Sequence, residues 1–224
     1  MRSGECVILT KIEKSSGNVG NAHMNKEEVN MAGSKVVAIA SSTGGPRALQ
    51  TLIPLFPAKL NAPVLIVQHM PVGFTGTLAE RLNSLSNLKV KEAEEGDVLQ
   101  AGQAYLSTGG RHMEVARSGT KHLIHYTDKE HREGVRPCAN YMYESLADSD
   151  YDEIVCAVLT GMGADGTVGI KNLRQKKKTS VFVQDQASCA VYGMPRSVVA
   201  AGLADGEMTL QKIAQEIIRN VGVI

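Results

Sequence analysis

Tryptophan is absent from this 224-residue chain, and phenylalanine occurs only three times beside six tyrosines. Proteins that bind single-stranded nucleic acids stack the bases on aromatic side chains, so this composition disfavours such a partner. An excess of one charge is also missing, because 24 Lys and Arg stand against 23 Asp and Glu, for a net charge of +1. We therefore predict that the chain binds neither nucleic acid nor an anionic membrane surface.

Disulfide and membrane signals are equally scarce. The chain has four cysteines and none forms a C-x-x-C pair: Cys6, Cys138, Cys156 and Cys189. So few cysteines in a chain of this length do not make a disulfide framework, which favours a reducing compartment. No run approaches the roughly 18 apolar residues of a transmembrane helix, and the N-terminus lacks the apolar core of a signal peptide. These absences predict a cytoplasmic protein without membrane insertion.

The first 34 residues differ in composition from the rest of the chain. The segment Glu13–Ser34 is rich in Ser, Asn and Gly and has no regular apolar period, which is typical of a linker or flexible tail. From Lys35 onward the apolar pattern is regular, and about 190 residues is an ordinary size for one domain. The sequence therefore predicts a tail over residues 1–34 and one folded domain over residues 35–224.

Strand–loop–helix units recur along this predicted domain. Three continuous apolar runs have the composition of strands buried on both faces of a parallel sheet, and each is followed by a polar or glycine-rich loop and a helical pattern: Val36–Ala40, Val64–Val67 and Ile154–Leu159. The middle of the chain, about Lys89–Thr127, instead shows short alternating segments broken by glycines. We predict an α/β fold with a doubly wound, mostly parallel sheet flanked by helices, and an inserted antiparallel hairpin region.

The three loops after these strands contain Ser42, His69 and Asp165. The carboxyl ends of parallel strands meet at one edge of a sheet, where such folds bind their ligands. A serine hydroxyl becomes a nucleophile when an imidazole takes its proton and a carboxylate orients that imidazole. Gly44 and Gly45 would let a substrate approach the backbone closely, and a peptide N–H in the Gly161–Gly166 loop could bind a developing oxyanion. The pattern indicates a serine hydrolase.

Each of these signals has a simpler reading. A Ser/Thr/Gly turn before a helix is commonly an N-cap or a phosphate cradle, and a His or an Asp-Gly in a loop is commonly structural. A phosphate-binding module without catalysis is the alternative, although the chain lacks a Walker lysine and a G-x-G-x-x-G motif. Four further histidines raise the possibility of a metal site, but two of them lie three apart in a predicted strand and so on opposite faces: His112, His122, His125 and His131. We predict no metal and no organic cofactor.

Four blocks of sequence closely resemble the motif blocks of the chemotaxis protein-glutamate methylesterase (CheB-type) catalytic domain, in that family's order and approximate spacing. They are Val36–Pro46 (VVAIASSTGGP), Leu65–Leu82 (LIVQHMPVGFTGTLAERL), Ala157–Ile170 (AVLTGMGADGTVGI) and Val183–Val198 (VQDQASCAVYGMPRSV). The resemblance implies that Ser42 is the nucleophile, His69 the general base and Asp165 its orienting acid. It also implies an oxyanion contact from the Met162 N–H and makes Thr43 a site residue beside the nucleophile.

The family hydrolyses glutamyl methyl esters on the cytoplasmic helices of chemoreceptors and releases methanol, and many members also deamidate receptor glutamines. The resemblance therefore implies a chemoreceptor as protein substrate; a receptor-binding module without catalysis is the other alternative. Members commonly begin with a receiver domain, for which the residues before Lys35 are too few, so we expect no receiver-type switch in this chain, and a monomer. Ser41 stands where the family usually has Ala or Gly, and the alignment with Thr-Gly-Gly selects Ser42.

Overall fold

Seven parallel strands form the central sheet of residues 34–224, the part of the chain that the computed structural model describes. The strand order is β3-β4-β2-β1-β7-β8-β9, and every neighbouring pair is parallel. The strands of this sheet are β1 Lys35–Ser41, β2 Val64–Gln68, β3 Lys89–Glu92, β4 Gln103–Leu106, β7 Glu153–Val158, β8 Lys178–Gln184 and β9 Gly206–Met208. The predicted tail lies outside the described residues except for Ser34, as does Cys6.

Helices cover both faces of this sheet, as the continuous apolar strands require. On one face Val37 and Ile39 of β1 pack against three helices: α1 (Gly45–Leu52), α2 (Thr75–Leu85) and α6 (Leu210–Val221). On the other face Val36, Ala38 and Ala40 pack against α3 (Ala139–Ser145), α4 (Thr167–Arg174) and α5 (Gly193–Ala200). The doubly wound α/β fold predicted from the sequence is confirmed. Within residues 34–224, no helix combines the length and the apolar character that crossing a membrane requires.

Strands β5 (His112–Ser118) and β6 (Lys121–Thr127) form an antiparallel hairpin outside the main sheet. Its apolar side chains, Met113, Val115, Ile124 and Tyr126, join the core on the α3 face. The predicted hairpin insertion is confirmed for these two strands. The earlier part of the same region behaves differently, because β3 and β4 extend the parallel sheet beyond β2.

Candidate active site

Strand register brings Ser42 and His69 side by side. Ser41 pairs with Gln68 at the end of the β1–β2 ladder, and the His69 N–H donates a hydrogen bond of 3.1 Å to the Ser41 carbonyl. Side chains alternate along a strand. Ser41 and Gln68 therefore share the face of Val37 and Ile66, which α1 and α2 cover. Ser42 and His69 come one residue later and share the opposite face, on which α3, α4 and α5 lie.

Asp165 meets His69 on that second face. The His69 Nε2 lies 2.7 Å from Asp165 Oδ2, and the two side chains are 9% and 2% exposed. The same Asp165 oxygen accepts the Ala139 N–H at 2.6 Å. The other oxygen accepts the Asn140 N–H at 3.0 Å and faces the Cys138 Sγ at 3.0 Å. The first turn of α3 therefore holds the carboxylate, while the carboxylate holds the imidazole.

These partners keep Asp165 ionised. Burial alone would raise the pKa of its carboxyl, but the hydrogen bonds from His69, the Cys138 thiol and the Ala139 amide outweigh burial, so that the pKa lies below its ordinary value. An ionised carboxylate is only an acceptor, so the 2.7 Å contact requires a proton on His69 Nε2. In the neutral imidazole the lone pair then lies on Nδ1.

His69 Nδ1 is buried and has no hydrogen-bond partner among the described residues. A buried imidazole nitrogen without a partner is costly and uncommon. Ser42, the adjacent residue on the same face, is partly exposed. The Ser42 hydroxyl forms no hydrogen bond to His69 Nδ1 in this structure. Proton transfer needs an O···N separation of roughly 2.6–3.2 Å, and enzymes without substrate often reach it only when the substrate binds. The arrangement can activate a serine through Nδ1.

Ser41 has a different environment from Ser42. It is fully buried, and its hydroxyl donates a hydrogen bond of 2.7 Å to Gln68 Oε1 on the α1 face. Its side chain thus points away from His69 and is already engaged. The geometry favours Ser42 over Ser41 as the nucleophile.

The Gly161–Gly163 loop abuts Ser42. A Cβ added at Gly161 would lie 2.8 Å from the Ser42 Cβ and 2.3 Å from the Met194 Sδ, so only glycine fits there. Met162 follows this contact; its side chain is 73% exposed, and its N–H forms no hydrogen bond to another described residue. Thr43 is exposed, and its carbonyl lies 2.9 Å from the Thr160 hydroxyl, which ties the serine loop to the end of β7. Because Gly161 packs against Ser42 and the next N–H, that of Met162, has no partner among the described residues, this N–H is available close to Ser42.

Packing requires glycine at both positions after Thr43. A Cβ on Gly45 would lie 1.9 Å from Gln68 Oε1, and one on Gly44, which has φ +82°, would lie 2.6 Å from the Ala190 Cβ. The Gly45 N–H bonds the Ser42 carbonyl at 2.7 Å, and Pro46 has no N–H. Two donors of a phosphate cradle at the start of α1 are therefore missing, which disfavours the phosphate-binding alternative.

The other four histidines of residues 34–224 are structural or exposed. His112 is buried; its Nδ1 accepts the Cys138 N–H at 3.2 Å and its Nε2 lies 3.1 Å from the Glu130 carbonyl. His122 is 4% exposed while His125 is exposed, as expected for opposite strand faces. Residues 34–224 contain no group of three His, Cys, Asp or Glu side chains able to hold a metal ion. Cys138, Cys156 and Cys189 are free thiols.

Several residues around the predicted triad carry no sequence signal of their own. Gln68, Cys138 and the backbone of Ala139 and Asn140 contact the site directly. Asn140 also accepts the N–H groups of Gly166 and Gly169 through its Oδ1, at 3.1 and 2.6 Å, and so joins the start of α4 to the start of α3. Of these residues, only Gln68 could have been proposed as a site residue from the sequence, because it precedes His69 in the Q-H-M-P string.

Comparisons with known proteins show the family to which the chain belongs. The family model described as CheB methylesterase matches residues 37–217. A protein-glutamate methylesterase/protein-glutamine glutaminase of Desulfotalea psychrophila is 44% identical over 189 residues, which cover 84% of this chain and 52% of the relative. A protein of the same name from Methanosarcina barkeri is 40% identical over 222 residues, covering 96% of this chain and 61% of the relative.

A solved structure is similar over nearly its whole length. The Thermotoga maritima CheB methylesterase catalytic domain superposes with a TM-score of 0.80 at 38% identity, covering 83% of this chain and 98% of that one. The shared fold is a doubly wound α/β domain, and in this chain the Asp165–His69 pair lies at the carboxyl edge of its sheet. The chain belongs to the CheB methylesterase family, and it spans about half the length of most curated relatives that it matches.

Proposed function

We propose that this chain is the catalytic part of a protein-glutamate methylesterase, with Ser42 as nucleophile, His69 as general base and Asp165 as the acid that orients it. The observation that carries the proposal is the His69 Nδ1, which has no partner within residues 34–224, while the 2.7 Å bond from Nε2 to Asp165 fixes the imidazole on the face of the sheet that Ser42 shares. The usual serine-protease arrangement presents Nε2 to the serine. Here the imidazole is reversed, and Nδ1 is the basic atom.

The reaction follows from these positions. Nδ1 takes the Ser42 proton while Oγ attacks the ester carbonyl of a glutamyl side chain, and Asp165 stabilises the imidazolium that forms. The Met162 N–H is placed to bind the oxyanion of the tetrahedral intermediate. Collapse of that intermediate expels methoxide, which receives the proton from Nδ1 and leaves as methanol. Water then attacks the acyl-enzyme by the same route, giving free glutamate and restoring Ser42.

Hydrolysis of a glutamine side chain needs no other groups. The amino group of the tetrahedral intermediate takes the same proton from Nδ1 and leaves as ammonia, and the acyl-enzyme is identical. The two-part name of the relatives, methylesterase and glutaminase, is consistent with one site acting on both carbonyls. We include deamidation in the proposed function.

The proposed substrates are side chains on the cytoplasmic helices of chemoreceptors, which places the protein in the cytoplasm. Exposed apolar side chains support a protein substrate rather than a small ester. Val72 and Phe74 follow His69, and Met162 follows the glycine that touches Ser42; all three are more than half exposed. Apolar groups on the loops of a site are typical of surfaces that bind another protein.

Methanol release tests the proposal directly. Membranes carrying methylated receptors are incubated with the wild-type chain, Ser42→Ala or Ser41→Ala, and methanol is measured over time. We expect Ser42→Ala to lose at least about 10³-fold in rate, because it removes the nucleophile. Ser41→Ala should keep most of its activity, since its hydroxyl faces away from His69. An inactive but folded Ser41→Ala protein, or methanol release by Ser42→Ala, would overturn the assignment.

A further inference from the structure

Gln68 lies directly beneath the candidate active site. It is the last residue of β2, it pairs with Ser41 of β1, and it is 1% exposed. Strand alternation directs its side chain to the α1 face, opposite to the face that carries the Ser42 and His69 side chains. A buried carboxamide must have its donors and acceptor satisfied.

The Gln68 carboxamide donates both of its N–H groups to backbone carbonyls of the site. Its Nε2 lies 3.0 Å from the Ser42 carbonyl oxygen and 3.0 Å from the His69 carbonyl oxygen. These two carbonyl acceptors orient the amide, and its Oε1 accepts the Ser41 hydroxyl at 2.7 Å. One planar group therefore bridges the residue that carries the nucleophile and the residue that carries the base.

This bridge replaces a rung of the sheet. The β1–β2 ladder ends when the His69 N–H bonds the Ser41 carbonyl. Beyond that point β1 turns into α1, β2 turns into the loop before α2, and backbone hydrogen bonding between the two segments stops. In a regular parallel ladder the next partner of the His69 carbonyl would be a backbone N–H of the neighbouring strand. Here the Gln68 side chain donates to the His69 carbonyl instead, and it also donates to the Ser42 carbonyl.

We propose that Gln68 is a positioning residue, whose side-chain amide sets the separation of Ser42 and His69 by binding both of their carbonyl groups. The inference rests on the proposed function, which makes Ser42 the nucleophile and His69 the base. Gln68 itself touches no substrate. Its contribution is to the geometry of proton transfer from Oγ to Nδ1.

Gly45 supports this assignment independently. The space that its side chain would occupy is filled by the Gln68 carboxamide, with Oε1 at 1.9 Å from an added Cβ. The first residue of α1 is thus shaped around the Gln68 amide as well as the helix. A side chain at this position would displace the amide from both carbonyls.

The test replaces Gln68 with Met, which has similar length and no strong hydrogen-bonding group. The kcat and KM for p-nitrophenyl acetate are measured with the rate of labelling by a fluorophosphonate, because both report Ser42 activation without a receptor. A misplacement of about 1 Å between reacting groups costs on the order of 10²-fold in rate. We expect kcat and the labelling rate to fall by about that factor, with KM within about threefold of wild type.

Two further variants keep the test decisive. Gln68→Glu keeps the shape and the acceptor for Ser41 but replaces two amide donors with a carboxyl that carries at most one proton, so it cannot bridge both carbonyls and should also lose kcat, even if the Met variant does not fold. Glu153→Gln, at the opposite end of the sheet, is the control for general destabilisation and should leave kcat within about twofold.

Each outcome is informative. If wild type is not labelled, the assignment of Ser42 and His69 fails, and the inference fails with it. If wild type is labelled while folded Gln68→Met and Gln68→Glu keep kcat within about threefold, the proposed function stands and the positioning role is wrong. A loss in kcat no larger than that of Glu153→Gln would reduce Gln68 to a structural residue.

Discussion

Two buried carboxylates lie at opposite ends of the same sheet, and their surroundings differ. Glu153 begins β7 at the amino edge, where it meets the Lys35 and Lys178 ammonium groups at 3.1 and 2.9 Å. The Ser180 hydroxyl and the Asn220 amide complete its shell at 2.6 and 2.9 Å. Asp165 lies at the carboxyl edge with amide, thiol and imidazole partners, and within residues 34–224 no Lys or Arg forms an ion pair with it.

Both groups are held as anions, but by different means. Burial opposes ionisation of Glu153, and its hydrogen bonds from Ser180, Asn220 and the two lysines lower the pKa to about 2. Its charge is neutralised by cations, which stabilises the fold. The charge of Asp165 is supported only by neutral donors and the imidazole, so its field acts on His69 rather than on a cation. One carboxylate stabilises the sheet, and the other, in the proposed mechanism, prepares a base.

The sharpest test of this difference exchanges each carboxylate for its amide. Asp165→Asn removes the charge and turns an N–H₂ donor toward groups that are themselves donors, so a proton on His69 Nε2 is no longer favoured and Nδ1 no longer reliably carries the lone pair. We expect kcat for a small ester to fall by roughly 10³- to 10⁴-fold. Glu153→Gln should leave kcat nearly unchanged. Equal losses in the two variants would show that Asp165 has no special role.

Acid unfolding tests the other half of the comparison. The folded-state pKa of Glu153, about 2, lies below the ordinary value of 4.5, so its stabilisation is complete above pH 4.5 and is lost as pH falls through 2. The contribution is at most about 3 kcal/mol at neutral pH. Urea unfolding followed between pH 6 and pH 2 should show this loss in wild type. The slope should be smaller in Glu153→Gln; an unchanged slope would contradict the assignment.

The smallest expected effect concerns Cys138. Burial and the neighbouring Asp165 carboxylate raise the pKa of this thiol, so it stays protonated and donates to Asp165 Oδ1. Cys138→Ala should lower kcat by about 10-fold through the loss of one donor to a charged acceptor. Cys138→Ser retains a donor and should recover most of the loss at similar thermal stability. If Ser and Ala are equally impaired, the thiol acts only through packing.

The long buried strands and the helices after them could be predicted from the sequence because one apolar pattern dominates each. Helix α2, Thr75–Leu85, follows the second of the apolar runs, as the recurring strand–loop–helix pattern predicts. Strands β3 and β9 were not predicted as members of the sheet, since they are short edge strands of four and three residues containing charged side chains. The α5 helix was missed because it begins Gly-Met-Pro, which is typical of a loop, although proline is tolerated in a first turn.

The site, too, has residues that the sequence could predict and residues that it could not. Ser42, His69 and Asp165 could be proposed because each follows a strand and carries a reactive group. The support around them could not, because the amides of Ala139 and Asn140 lie some 25 residues from Asp165 in the chain and every residue has such a group. The role of Gln68 depends on the face to which it points and on the space at Gly45, which only the packed structure defines.

The backbone support of Asp165 has a consequence for mutational tolerance. Two of its four partners are main-chain N–H groups at the start of α3, which no side-chain replacement removes except proline. The identity of the side chain at 139 or 140 therefore does not decide whether these two donors exist, although both side chains are buried and the Asn140 carboxamide also binds the start of α4. These two contacts to Asp165 depend on where the first turn of α3 lies, and the contacts from His69 and Cys138 depend on the side chains themselves.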